Sequence, residues 1–212
     1  MMLIKKAATT DNDKPVVIEI PDMRRVLQTA AFEDIYYEHC SYFTPGTFAR
    51  FLRHIGFGIS DINLVYQDQY LIAESNPNVS KTSKLFSIEE SLDETRQLID
   101  QFQRELVKKL KFWTQFFKSA NENNEKIAIW GSGSKCVSFF SAIGITKEIS
   151  MVVDINPNRR GKYIPGIAIK IASPQELIDL NPDKIIIMNK IYETEIRQQL
   201  IEFKITADIM TL

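Results

Sequence analysis

From Lys126 onward the chain repeats one pattern, a short apolar run, a turn, and a stretch spaced for a helix. The segments are "KIAIWGSGSKCVSFFSAIG", "ISMVVDINP", "IAIKIASPQELIDLNP", "KIIIMNKIYETEIRQQLIEF" and "ITADIM". Runs that are apolar throughout fit strands covered on both faces, and parallel neighbours need a crossover long enough to hold a helix. The pattern therefore predicts a small open parallel sheet with helices packed on it.

The first part of the chain reads differently. "VVIEI", Val16 to Ile20, is a β-branched run stopped by Pro21 and predicts a buried strand. Thr44 as N-cap, Pro45 at the first helical position and Gly56 as a stop predict a helix over "TPGTFARFLRHIGFG". "GISDINLVYQ" and "QYLIAES" then read as a hairpin turning near Gln67 and Asp68.

Polar, turn-rich "NPNVSKTSK", residues 76–84, predicts a boundary. Beyond it Ser87 and Glu90 have capping-box spacing, and Ile88, Leu92, Leu98, Phe102, Leu106, Leu110, Trp113 and Phe117 recur at helical intervals. One helix of about 30 residues, roughly 45 Å long, accounts for them. Its aromatic end reads as packing rather than as a cofactor box. The expected domains are 1–80, a connecting helix over 81–120, and 121–212.

Composition excludes several classes. The 26 basic residues balance 27 acidic ones, so no net field draws the chain to nucleic acid or to an anionic membrane. Cys40 and Cys136 form no Cys-x-x-Cys pair, no metal site is expected, and the thiols suit a reducing compartment. No run of 18 apolar residues and no leader-like start is seen, so a cytoplasmic location is expected.

Two places carry candidate chemistry. In "IAIWGSGSKC" a strand runs through Gly131 and Gly133 into a helix, and Asp154 closes the next strand 21 residues after Gly133. Glycines permit a sharp turn and close ligand approach, a helix N-terminus offers N–H groups to phosphate, and an acidic strand end can accept from a ribose diol. Ser132, Ser134 and Lys135 would add polar contacts. Cys136 stands where the third glycine of the dinucleotide fingerprint belongs. Dinucleotide binding, a phosphate or sugar-nucleotide contact, and a purely structural turn all stay open on these residues. The second place is "EDIYYEHCSYFTPGTF", which holds His39, one of two histidines in the chain, among tyrosines and a carboxylate. His54, in "FLRHIGF", reads as a surface or helix-end residue.

Residues 126–203 resemble, in order and spacing, the C-terminal domain of sugar C-methyltransferases that use S-adenosylmethionine. The likeness is carried by "WGSGSKC", "VVDINPNRRGKYIPG", "SPQELIDLNPDKIII" and "NKIYETEI". Residues 16–75 resemble the end of the same enzymes' catalytic domain. "VVIEIPD" looks like its fifth strand, "FEDIYYEHCSYFTPGTFARFLRHIGF" like its active-site loop and following helix, and the hairpin like its last two strands. The family's Tyr-His-Glu-His falls on Tyr36, Tyr37, Glu38 and His39, with Tyr37 departing from it. The fold this implies is α/β: an incomplete class I methyltransferase sheet, a long helix, and a small Rossmann-like parallel-sheet domain.

The resemblance implies methyl transfer to carbon of a nucleotide-linked keto-sugar, begun by removing a proton beside the ketone. Histidine, with an ordinary pKa near 6.5, suits that step at neutral pH, so His39 is the candidate base. Glu38 would orient it, and Tyr36, or more weakly Tyr42, would donate to the developing enolate oxygen. Tyr42, Gly131, Ser132, Gly133, Ser134, Lys135 and Asp154 are the expected substrate contacts.

The family's S-adenosylmethionine loop lies upstream of the strand matched by "VVIEI", and 15 residues precede Val16. A second polypeptide supplying the donor-binding half, self-association through a strand edge, or a truncated product would each account for this. No counterpart of the family's cysteine-rich zinc module is recognised. The competing functions are a non-catalytic nucleotide-sugar-binding module and a dinucleotide-dependent regulator.

Overall fold

The computed structural model describes residue 6 and residues 14–76, 85–144 and 147–212. The polar segment at which the sequence places a boundary falls, over 77–84, outside the described residues. The chain divides into two compact units. One takes in Met1–Ala30 and His39–Arg104, the other Ala31–Glu38 and Glu105–Leu212.

The first unit is built on an antiparallel sheet of β1 (Val16–Pro21), β2 (Gly58–Val65) and β3 (Tyr70–Asn76), in the order β1-β3-β2. The hairpin between β2 and β3 turns through Tyr66, Gln67 and Asp68, all with positive φ. β1 is buried on one face only. Ile18 and Ile20 face the core while Val17 is 62% exposed, so "VVIEI" is a half-buried strand and not the fully buried one its apolar run suggested. No described strand pairs with the outer edge of β1.

Between β1 and β2 lie α1 (Met23–Thr29) and α2 (Pro45–His54). α1 was not expected from the sequence. Its start is fixed by Asp22, whose side chain accepts from the Arg24 and Arg25 N–H groups at 2.9 and 3.1 Å. α2 begins as expected, with Pro45 in its first turn and a reciprocal Thr44–Thr47 cap. Its inward face contributes Phe48, Ala49 and Leu52 to a core completed by Phe57, Ile59, Ile62, Leu71 and Ala73.

Helix α3 (Leu92–Glu122) has 31 residues. Its capping box is Ser91 and Glu94, not Ser87 and Glu90. Glu90 is drawn elsewhere, accepting from Thr44 Oγ1 at 2.5 Å, from Gly46 N at 3.1 Å and from Arg24 at 2.5 Å. Those bonds hold the strand of chain before α3 against α2. Burial works against the charge on Glu90, and the bonds from Thr44, Arg24 and Gly46 outweigh it, holding the carboxyl below its ordinary range.

In the second unit the C-terminal end of α3 buries Trp113, Phe117 and Ala120, and Trp113 meets Phe139 edge-on at 5.1 Å. Trp113 and Phe117 are thus core packing, while Phe112 is exposed. Five parallel strands follow: β4 (Ile127–Trp130), β5 (Ile149–Val153), β6 (Ile171–Ala172), β7 (Lys184–Ile187) and β8 (Asp208–Thr211). They are ordered β6-β5-β4-β7-β8 and interleaved with α4 (Ser134–Ile143), α5 (Leu177–Leu180) and α6 (Glu193–Glu202). The apolar runs match this arrangement, since every residue of the central strand β4 is buried. The parallel five-stranded sheet, long helix and antiparallel sheet form a mixed α/β protein with a methyltransferase-like fold.

Candidate substrate site

Strand order locates a crevice independently of any motif. From β4 the chain builds outward through β5 to β6, then returns to place β7 and β8 on the other side of β4. Ligands of open parallel sheets bind where the order reverses, outside the carboxyl ends of the strands. That point lies between β4 and β7, and the Gly131–Gly133 loop leaves β4 there.

Gly131 has φ of +109°, and a Cβ on it would stand 3.2 Å from Cβ of Met188, the residue after β7. The backbone conformation requires glycine, and the space beside it is tight. Ser132 donates to Asp154 Oδ2 from its N–H at 2.9 Å and from its hydroxyl at 2.5 Å. Asn156 N–H donates to Asp154 Oδ1 at 2.8 Å, and Arg159 Nη1 lies 3.2 Å from Oδ2. Burial opposes ionisation of Asp154, but the Ser132, Asn156 and Arg159 bonds prevail and hold its carboxyl below the ordinary range. Asp154 therefore acts first as the brace of the glycine loop.

Arg159 is the residue that sequence reasoning passed over here. Its guanidinium stands 3.1 Å from the place where a Gly133 Cβ would be, next to the N-terminus of α4, which has no side-chain cap. A cation beside unpaired helix N–H groups favours a bound anion. The signal was a basic pair in "NPNRRG", immediately after the acidic strand end. Ser134 opens α4 and is half-buried. Lys135 is engaged by Asp34, at 2.7 Å. Cys136 is fully buried, and burial pushes its thiol up to about 12, so it packs as an apolar side chain and is no nucleophile.

The motif loop straddles the division between the units. Tyr36, half-buried, and Glu38, exposed, belong with the parallel sheet, and Tyr37 between them is 90% exposed. His39 and Tyr42 belong with the antiparallel sheet, both half-buried, with their rings edge-on at 6.0 Å. His54 is exposed at the last residue of α2. Ahead of the motif, Glu33 is buried in a 3-10 turn over Phe32–Asp34. Burial raises its pKa, opposed by the nearby Lys109 charge.

A cavity of about 490 Å³ opens at the amino end of the parallel sheet, between Phe112, Phe116, Asn123, Glu125 and Lys184. It is at the opposite end from the crevice, and Lys184 within it is paired with Glu125 at 3.4 Å, so the switch point remains the better candidate. Among the described residues no group of three or more His, Cys, Asp or Glu side chains could hold a metal ion. None of the described helices is long and apolar enough to cross a membrane.

Comparison with known proteins fits this architecture. Residues 63–207 match the family described as the C-methyltransferase C-terminal domain. The chain is also 22% identical over 195 residues to C-methyltransferase NovU of Streptomyces niveus, a match covering 88% of this chain and 46% of that protein. The chain belongs to the C-methyltransferase family. It spans about half the length of the curated relative it matches.

S-adenosylmethionine is the donor expected of such a family. At the glycine loop Asp154 Oδ2 is taken by Ser132 and Arg159, while Oδ1 accepts from Asn156 N–H alone, so a ribose diol would find one acceptor site there, not a whole carboxylate.

Proposed function

We propose that this chain is the substrate-holding and proton-abstracting part of a C-methyltransferase that acts on a nucleotide-linked keto-sugar. The observation that carries the reading is a glycine loop at the switch point of a parallel sheet, in a chain that belongs to the C-methyltransferase family. Gly131 and Gly133 let the phosphate end of the substrate approach the backbone and Ser134 donates to it, with Ser132, Asp154 and Arg159 fixing the loop. S-adenosylmethionine is the methyl donor and is held by residues other than these. The outer edge of β1 takes a strand of the donor-binding part, whether that part belongs to a longer form of this protein or to a second polypeptide.

His39 removes the proton from the carbon beside the ketone. The C–H electron pair moves into an enolate, the proton goes to the imidazole, and Tyr36 donates to the enolate oxygen, where a donor aimed at developing charge gains most. Tyr42 packs on the His39 ring edge and restricts its orientation. Glu38 steadies the imidazolium.

This half-reaction needs no methyl donor and can be measured alone. In deuterium oxide the wild-type chain exchanges deuterium into the carbon beside the ketone of a nucleotide-linked keto-sugar, and His39→Ala slows that by about 100-fold or more. Equal rates for the two proteins would remove the base assignment. Tight binding of the nucleotide-sugar with no exchange in either would leave a non-catalytic binding module.

A further inference from the structure

Segment 31–38, which carries Tyr36 and Glu38, has little structure of its own. Its 3-10 turn is closed by two backbone bonds, Asp34 N–H to Ala31 O at 3.0 Å and Ile35 N–H to Phe32 O at 3.1 Å, with no side-chain cap at its start. Yet it buries Phe32 and the Glu33 carboxyl, whose Oε2 finds no hydrogen-bond partner among the described residues. Something outside the segment must offset that cost.

Three such supports come from α4. Lys135 Nζ lies 2.7 Å from Asp34 Oδ1 and 2.9 Å from Oδ2, and both side chains are largely covered. Ser138 Oγ donates to Ile35 O at 2.9 Å and reaches Phe32 O at 3.4 Å. Phe139 stacks on Phe32 at 6.0 Å with the rings 16° apart. Positions 135, 138 and 139 have i, i+3, i+4 spacing, so one helix face presents all three. A lysine in the first turn of a helix is opposed by the helix dipole, and Asp34 supplies the reason for one here.

We propose that Lys135, with Ser138, is a positioning residue for the motif loop: it pins Asp34 to α4 and so places Tyr36 and Glu38 relative to the glycine loop at the start of the same helix. Its catalytic consequence rests on the proton-abstraction reading above. The C-terminal domain then does more than bind the nucleotide end of the substrate. One rigid helix sets both that end and part of the reacting end, which favours a fixed offset between them.

Amide hydrogen exchange on the full chain tests the clamp without any ligand. Lys135→Ala raises exchange across residues 31–38 by about tenfold and leaves Ala128–Trp130 of β4 unchanged, and Lys135→Arg restores protection. In the deuterium-exchange assay with a nucleotide-linked keto-sugar, Lys135→Ala lowers kcat with little change in KM, and Lys135→Arg recovers it. Unchanged protection of 31–38 in Lys135→Ala would overturn the proposal, as would a loss spread equally over β4. If the wild-type protein itself exchanges no deuterium into the sugar, the function proposed above falls, while the amide measurement still decides the clamp.

Discussion

Replacing Gly46 with alanine should destabilise the first unit, although alanine in a helix ordinarily gains roughly 0.5–1 kcal/mol over glycine. A Cβ at position 46 would overlap the Glu90 carbonyl oxygen and stand 2.6 Å from Glu90 Oε1. Glu90 cannot step aside freely. Its carboxylate is held by Thr44, Arg24 and the Gly46 N–H, and its carbonyl accepts from Arg50 Nη1 at 2.7 Å. Making room means overpacking, at about 1–3 kcal/mol, and loss of at least one bond to a charged group, at about 1.5–3 kcal/mol. After the helical gain the expected net loss is about 3 kcal/mol. Urea unfolding followed by amide exchange at Leu52, Phe57 and Leu71 measures it, those residues being in the core of the affected unit. Trp113 and Trp130 both belong to the other unit, so tryptophan fluorescence supplies an internal reference. A Gly46→Ala protein as stable as wild type, or more so, would refute the reasoning, because ordinary helix propensity would then outweigh the close approach of Glu90.

Other expectations concern the second unit. Glu33→Gln should stabilise it at neutral and alkaline pH. The folded-state pKa of Glu33 is raised by burial, so its penalty is absent in acid and grows as pH rises from the ordinary carboxylate range through the raised value. The advantage of the variant should accordingly shrink to nothing below about pH 4 in melts compared across pH. Asp154→Ala strips the glycine loop of its brace and should cost about 3 kcal/mol, seen as an earlier urea midpoint in the fluorescence of Trp130, which directly precedes Gly131. Phe139→Ala removes a fully buried ring that meets Trp113, Phe117 and Phe32, for a loss of about 3–5 kcal/mol by the same assay.

Much of the secondary structure was legible because its signals are local. The hairpin at Gln67 and Asp68, the Thr44–Pro45 start of α2, and the apolar spacing along α3 each depend on neighbours within a turn or a strand pair. Where a signal had a competitor, locality failed. Ser87 and Glu90 have capping-box spacing, but Glu90 is taken by Thr44 and Arg24, more than 40 residues away in the chain. Asp154 was expected as a substrate contact, and that it also braces the glycine loop through Ser132 and Asn156 was not legible in the sequence. Lys135 was expected at a phosphate, and it lies against Asp34, 101 positions earlier.

By itself the amino-acid order determined most of the strands and helices, α1 excepted, that the second part is a parallel α/β sheet, and that the chain resembles the C-methyltransferases, because hydrophobic period, turn chemistry and motif spacing are written along the chain. Tertiary structure alone decided the strand order that sets the crevice between β4 and β7, and the partners of Glu90, Asp154 and Lys135. A charged side chain leaving water takes whichever counter-charge or donor the fold brings within about 3 Å, and sequence distance has no bearing on that choice.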